Sequence, residues 1–160
     1  MPNIPAPFLS TPMSIKPEWI DYNGHLNMAY YNVLFDEGVD QAYALLGFGP
    51  EYRKTRNHTT FTGEFHIRYV RELHLGDSVT VSMQLIDHND KSFHTYQEIR
   101  HQDGWLAATG EALALHIDMA GPRVARFPDD IAHKIAAMMS AHSVLPRPAI
   151  VGQGIAIRRT

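Results

Sequence analysis

From Asn27 to Leu46 the apolar or small residues Met28, Tyr31, Phe35, Gly38, Ala42 and Leu45 recur in alternating steps of three and four. That spacing puts side chains on one face of an α-helix and predicts a long helix with a stripe turned to a core. Gly47-Phe48-Gly49-Pro50 ends it, since glycine accepts the left-handed C-cap and proline cannot continue the coil. The polar run Glu51 to His58 reads as a loop. From Thr59 the period falls to two: Phe61, Gly63, Phe65, Ile67 and Tyr69 alternate with Thr60, Thr62, Glu64, His66 and Arg68, which predicts a strand with one apolar face. After the turn at Gly76-Asp77, Val79, Val81, Met83 and Leu85 alternate with polar residues in the same way. His88-Asn89-Asp90 and Gln102-Asp103-Gly104 are further turns. They bound a less regular strand around Phe93 to Arg100 and a long one from Trp105 to Asp118. The last carries small or apolar residues on both faces, as a central strand covered on both sides does.

Asp129 to Met139 reads as a short helix behind Pro128, with Ile131, Ile135 and Met138 on one face. Before the long helix, Met1 to Ser10 reads as a Pro-rich, loose arm and Thr11 to Ile20 as a short first strand. Ser143 to Thr160 is a Pro- and Gly-rich tail with no evident reason to fold. The expectation is one domain over 1–160 with its core in about 11–139. Its class is α+β: an antiparallel sheet of about five strands, joined by hairpins, with Gly38 letting the long helix press closely on it.

Composition narrows the function. The 160 residues carry a formal charge of -3, with 44% hydrophobic and 19% charged residues, ordinary for a globular protein. Arg and Lys are scattered, so no basic field invites nucleic acid. No apolar run reaches membrane-spanning length, which predicts no membrane partner. The absence of cysteine excludes thiolate chemistry and disulfides and is compatible with a reducing cytoplasm. Ten histidines are spread along the chain without metal-ligand spacing, so no metal is expected.

The candidate chemistry lies in Pro17-Glu18-Trp19-Ile20-Asp21-Tyr22-Asn23-Gly24-His25-Leu26-Asn27-Met28-Ala29-Tyr30-Tyr31. It places a carboxylate, a glycine turn, a histidine and an amide just before a helix. The first helical N–H groups lack intrahelical partners and carry partial positive charge, so they favour an ionised carboxylate and can hold a developing oxyanion. Asp21 and Asn27 could instead serve only as caps; Asn27 alone suffices for that, and Asp21 lies too far upstream to close the first turn.

Asp21-x-x-Gly24-His25-Leu26-Asn27, a Tyr at 30 or 31, and His66-Ile67-Arg68-Tyr69-Val70-Arg71-Glu72 followed by Gly76-Asp77 together resemble the acyl-CoA thioesterases of the 4-hydroxybenzoyl-CoA thioesterase type. The resemblance covers about Met13 to Phe127. It implies the hotdog fold, a curved sheet wrapped around one central helix, and thioester hydrolysis with Asp21 as nucleophile or as base for a water. The backbone N–H of Met28 would polarise the thioester oxygen, with His25 and Asn27 beside it. Many relatives carry a second acid where this chain has Trp19 and a second Asn where it has Met28. The stretch from Pro17 to His25, with Glu64-x-His66-Ile67-Arg68-Tyr69, is most similar to the thioesterase domains linked to carnitine breakdown, which implies betainyl-CoA as substrate.

Aromatic faces and an acidic neighbour suit a quaternary ammonium group. Trp19, Tyr22, Tyr30, Tyr31 and Phe61 are candidates for that contact, with Glu64 as countercharge and Gly24 and His66 beside the substrate; all could also be plain packing residues. Coenzyme A enters only as part of substrate or product, no separate cofactor being required, and Arg68, Arg71 and Arg100 are candidate partners for its phosphates. The family pairs sheets across an interface, which implies a homodimer or homotetramer. A hydratase or dehydratase on the same fold and a non-catalytic acyl-CoA-binding module are the competing readings.

Overall fold

The computed structural model describes residues 3–160. Two short strands, β1 (Phe8–Leu9) and β2 (Met13–Ser14), lead to a single 3-10 turn at Pro17–Trp19 and then to α1 (Met28–Leu45). A second helix, α2 (Pro50–Arg56), precedes the long strands β3 (His58–Tyr69), β4 (Ser78–His88), β5 (Ser92–His101) and β6 (Leu106–Asp118). The two-residue strand β7 (Arg123–Val124) and the helix α3 (Asp129–His142) complete the elements. The strands form one antiparallel sheet in the order β1-β4-β5-β6-β3, with β2 also on β4 and β7 on β6. This is the α+β arrangement expected, with α1 laid against the sheet.

The helix buries Tyr31, Leu34, Phe35, Gly38, Val39 and Ala42. The apolar stripe is therefore turned from the one read in the sequence: Leu34 and Val39 enter the core, while Met28 and Leu45 are 64% and 49% exposed. Contact with the sheet is close because small residues meet across it. A Cβ added at Gly38 would stand 2.5 Å from the Val81 Cβ on β4, and one at Gly110 on β6 would stand 3.2 Å from the Phe35 ring. The alanines of β6, fully buried at Ala107 and Ala108, leave room for that ring and its neighbours.

Four segments differ from the sequence reading. The run expected to be a loop at Glu51 to His58 forms α2, which Pro50 opens and Asn57 closes at φ 55°. Its Tyr52 is buried, and that one apolar residue among polar ones is too little periodicity to read as a helix. The expected first strand divides into β2 and the 3-10 turn, and the lead-in contributes β1, whose Phe8 is buried. In the tail Val151 is buried, and Gly152 N–H reaches the Glu111 carboxylate at 2.6 Å.

The fourth difference is a bulge. Thr62 pairs with Ala114 and Glu64 with Leu113, leaving Gly63 as an extra residue in β3. The strict alternation expected for this strand therefore breaks at Gly63. Thr62, Phe65 and Ile67 turn inward toward α1, while Phe61, Glu64, His66 and Arg68 share the outward face.

Two buried histidines tie distant segments. His116 donates from Nδ1 to Ala125 O at 2.9 Å and takes the Tyr52 hydroxyl at Nε2 at 2.7 Å. His142 accepts the Leu85 N–H at Nδ1 and donates from Nε2 to Pro5 O, each at 2.8 Å. Burial lowers both pKa values from the ordinary 6.5. The folded state then binds fewer protons than the unfolded chain below that value, so stability present above it is lost as pH falls. Thermal unfolding midpoints are expected to be level from about pH 8 to 7 and to fall steadily below about 6.5; a level midpoint down to about pH 5 would contradict the two buried neutral rings. Helix propensity favours Gly38→Ala by about 1 kcal/mol, yet the added methyl would meet the fixed Cβ of Val81. A net destabilisation of about 1–3 kcal/mol in denaturant titration is expected, and a stabilised variant would refute the close approach.

Candidate active site

The loop before α1 is closed by its own backbone. Asp21 N–H bonds His25 O at 3.2 Å, Gly24 N–H bonds Asp21 O at 3.0 Å, and Gly24 takes φ 80°, a conformation in which a side chain would be strained. The buried Leu26 pins the loop to the rest of the fold through its N–H to Leu73 O at 2.7 Å. Asn27 N–H bonds Trp19 O at 2.9 Å. Trp19 itself is buried and stacks on Tyr30 with ring centres 5.6 Å apart, so both brace the loop from behind.

This frame fixes the half-buried Asp21 carboxylate at both oxygens. One accepts Asn23 N–H at 2.8 Å, the other the Asn27 side-chain amide at 3.0 Å. The Asn27 side-chain oxygen accepts Ala29 N–H at 2.9 Å, making Asn27 the N-cap of α1 and freeing Asp21 from that task. Tyr30 N–H goes to Asn27 O at 3.0 Å, whereas the Met28 N–H has no partner among the described residues. An open amide therefore sits one residue from the amide group that holds the carboxylate.

Asp21, His25, Asn27, Met28, Tyr31 and Arg71 line one cavity of about 480 Å³. Tyr22, 97% exposed, stands at its mouth. His25 is half-buried, with Nδ1 3.4 Å from Leu26 O and its ring edge-on to His74. Tyr31 receives Leu73 N–H at its hydroxyl oxygen, and burial raises its pKa, keeping the phenol neutral. The Arg71 guanidinium lies 4.0 Å from the centre of the Trp105 ring.

Other candidates are elsewhere in the chain. Phe61, Glu64 and His66 occupy the outward face of the sheet, away from α1. Arg68 lies on that same face and donates to the carbonyls of Ile150 and Gln153 in the tail. Arg100 is engaged by the Glu98 carboxylate and Gly104 O. Of the three arginines, Arg71 alone lines the Asp21 cavity. Tyr69, not among the candidates the sequence offers, lines the cavity and its hydroxyl donates to Met28 O at 3.2 Å, and burial raises its pKa. Its inward position in the β3 alternation, next to Arg71, was the available signal. Among the described residues no cluster of His, Asp or Glu could hold a metal ion, and no helix is long and apolar enough to cross a membrane.

A held carboxylate, an unpaired amide at a helix N-terminus and an open cavity are the parts that attack on an activated carbonyl needs. Comparison with known proteins points the same way. The family model described as the thioesterase-like superfamily matches residues 15–135. The betainyl-CoA thioesterase of Pseudomonas aeruginosa is 34% identical over 149 residues, covering 89% of this chain and 91% of that protein. An L-carnitine dehydrogenase/betainyl-CoA thioesterase of Agrobacterium fabrum is 31% identical; the match takes in 86% of this chain but only 28% of that longer protein. A hypothetical protein, SAV2348, from Staphylococcus aureus, solved in complex with CoA, superimposes with a TM-score of 0.89 at 30% identity and covers 99% of both chains. With more than two thirds of its length matched by the family model, and relatives of this likeness, the chain belongs to the thioesterase-like superfamily.

Proposed function

We propose that the chain hydrolyses a small acyl-CoA, betainyl-CoA being the substrate its relatives' names favour, to the free acid and CoA. The observation that carries this reading is the Asp21 carboxylate, clamped by Asn27 beside the unpaired Met28 N–H in an open cavity. The Met28 amide meets the thioester oxygen as it gains charge, which is where preorganised donors act most strongly. Asp21 either attacks the carbonyl carbon or takes a proton from the water that does; in both cases the carbon–sulfur bond breaks and CoA leaves as its thiolate, and in the first case water then cleaves the acyl-Asp21 anhydride to release the acid and restore the carboxylate. Arg71, on the wall of the same cavity, is the arginine this reading assigns to a phosphate of the CoA. A substrate built on CoA also fits work in the cytoplasm, and the relatives' names support a part in carnitine breakdown.

Asp21→Asn keeps the shape and removes the base. Thiol release is expected to fall about a hundredfold or more, measured against a panel of acyl-CoAs. Equal rates for variant and native chain would reject the mechanism. A carbon-centred hydration or dehydration would instead leave the thioester intact, and a binding module would release no thiol.

The outer edge of β3, 12 residues long, is unpaired among the described residues. Exposed edges of that length invite a second strand. We infer a homodimer, or a tetramer of such dimers, joined along β3. Light scattering on the eluting protein is expected to give at least twice the 18.1 kDa of one chain, and a stable species of 18.1 kDa would contradict it.

A further inference from the structure

Tyr69 ties the wall of the Asp21 cavity to the first turn of α1. It follows Phe65 and Ile67 on the inward face of β3, and its hydroxyl donates to Met28 O at 3.2 Å. Tyr31, on the helix turn after Met28, packs against the same ring edge to face, with centres 5.1 Å apart and planes at 89°. Tyr31 is 3% exposed and its hydroxyl oxygen takes Leu73 N–H, whereas Tyr69 is 46% exposed. The buried ring thus braces the other, and Tyr69 is the one of the two whose surface stays open to a ligand in the cavity.

The charge beside this pair favours a cation. Asp21 and Glu72 both line the cavity, and neither forms an ion pair among the described residues. Arg71, the only Arg or Lys on that wall, carries its guanidinium over the Trp105 ring. Burial raises the pKa of Tyr31, the charge of Glu72 adds to it, and burial raises that of Tyr69, so both phenols stay neutral rings with electron-rich faces. An acyl group carrying negative charge is repelled by the two carboxylates. An aliphatic one gains only apolar contact. A cation gains from the ring face and from Glu72 together.

Reach supports the same occupant. With the thioester oxygen on the Met28 N–H, a positive nitrogen one methylene from the carbonyl carbon stands about 4 to 7 Å from the Met28 nitrogen. The N and O of one helical residue are about 3.5 Å apart, and through its hydroxyl the Tyr69 ring centre stands no more than about 6 Å from Met28 O. These lengths allow the charge to come within the roughly 6 Å over which an aromatic face attracts a cation. Phe61 and Glu64, singled out in the sequence for this task, face the opposite side of the sheet.

We propose that Tyr69 is a specificity-determining residue: its ring, braced by Tyr31 and tethered to Met28, receives a quaternary ammonium group adjoining the thioester carbonyl. The inference rests on the thioester-hydrolase reading and names the side chain that sets its preference among acyl groups.

The test uses two substrates of the same shape: betainyl-CoA, and 3,3-dimethylbutanoyl-CoA, in which carbon replaces the quaternary nitrogen. The cation also makes its thioester intrinsically more reactive, so what is read is the change between variants in the ratio of the two kcat/KM values. That ratio is expected to fall about fivefold or more in Tyr69→Leu and Tyr69→Met, each checked for a native circular dichroism spectrum, and to stay within about twofold of native in Tyr69→Phe, which keeps the ring. Leu and Met variants that slow both substrates equally show a ring that only packs, and a Phe variant that loses as much of the ratio as Leu shows that the hydroxyl carries the effect; either overturns the assignment while leaving hydrolysis standing. Absence of thiol release from either substrate by the native chain overturns the hydrolase reading instead. The ring is then judged by titrating tetramethylammonium into the native chain and following the Tyr31 ring by NMR. Saturable shifts that need several-fold more ligand in Tyr69→Leu support the seat, and no shift, or equal titrations, reject it.

Discussion

The Asn27 side chain is the joint on which the helix and the candidate reaction centre both depend. Its oxygen satisfies Ala29 N–H and so starts α1, and its nitrogen holds Asp21. One amide thereby sets where the helix begins and where the carboxylate points. Because the same residue's position also determines which amide is left open, the Met28 N–H and the Asp21 carboxylate are placed relative to each other by a single side chain. The surrounding loop supports that joint rather than competing with it: Leu26 is buried, Gly24 supplies the left-handed turn, and Trp19 stacks beneath on Tyr30.

The packing of α1 extends this constraint through the molecule. Gly38 against Val81 and Gly110 against Phe35 let the helix lie close to the sheet, which fixes the height of its N-terminus above the inward strand faces. Two cavities then border α1, one at its first turn holding the carboxylate and the open amide, the other running along the helix past Asn32, Asp36 and Asp40. The outward face of the sheet carries a different set of contacts, in which Arg68 and Glu111 hold the tail.

Much of this was legible in the sequence, because helix and strand periods are local. α1, the four long strands and α3 follow from period 3.6 or 2 and from glycine and proline at their ends. Asp21, Gly24, His25, Asn27 and Met28 lie within eight consecutive residues, so their meeting at one loop needed no tertiary information. Where reading failed, the deciding fact was non-local. The bulge at Gly63 shifts Phe61 to the outward face, and only pairing with β6 reveals it. Arg68, Arg71 and Arg100 are indistinguishable as residue types; the tail, Trp105 and Glu98 separate them in space.

Asn27→Ser tests the joint most directly, because serine is as good an N-cap as asparagine but is too short to reach Asp21. Unfolding free energy is expected to stay within about 0.5 kcal/mol of native, while kcat for thioester cleavage drops roughly ten- to hundredfold through a misplaced carboxylate. A variant with native kcat would show that Asp21 needs no clamp, and the account of the site would fail.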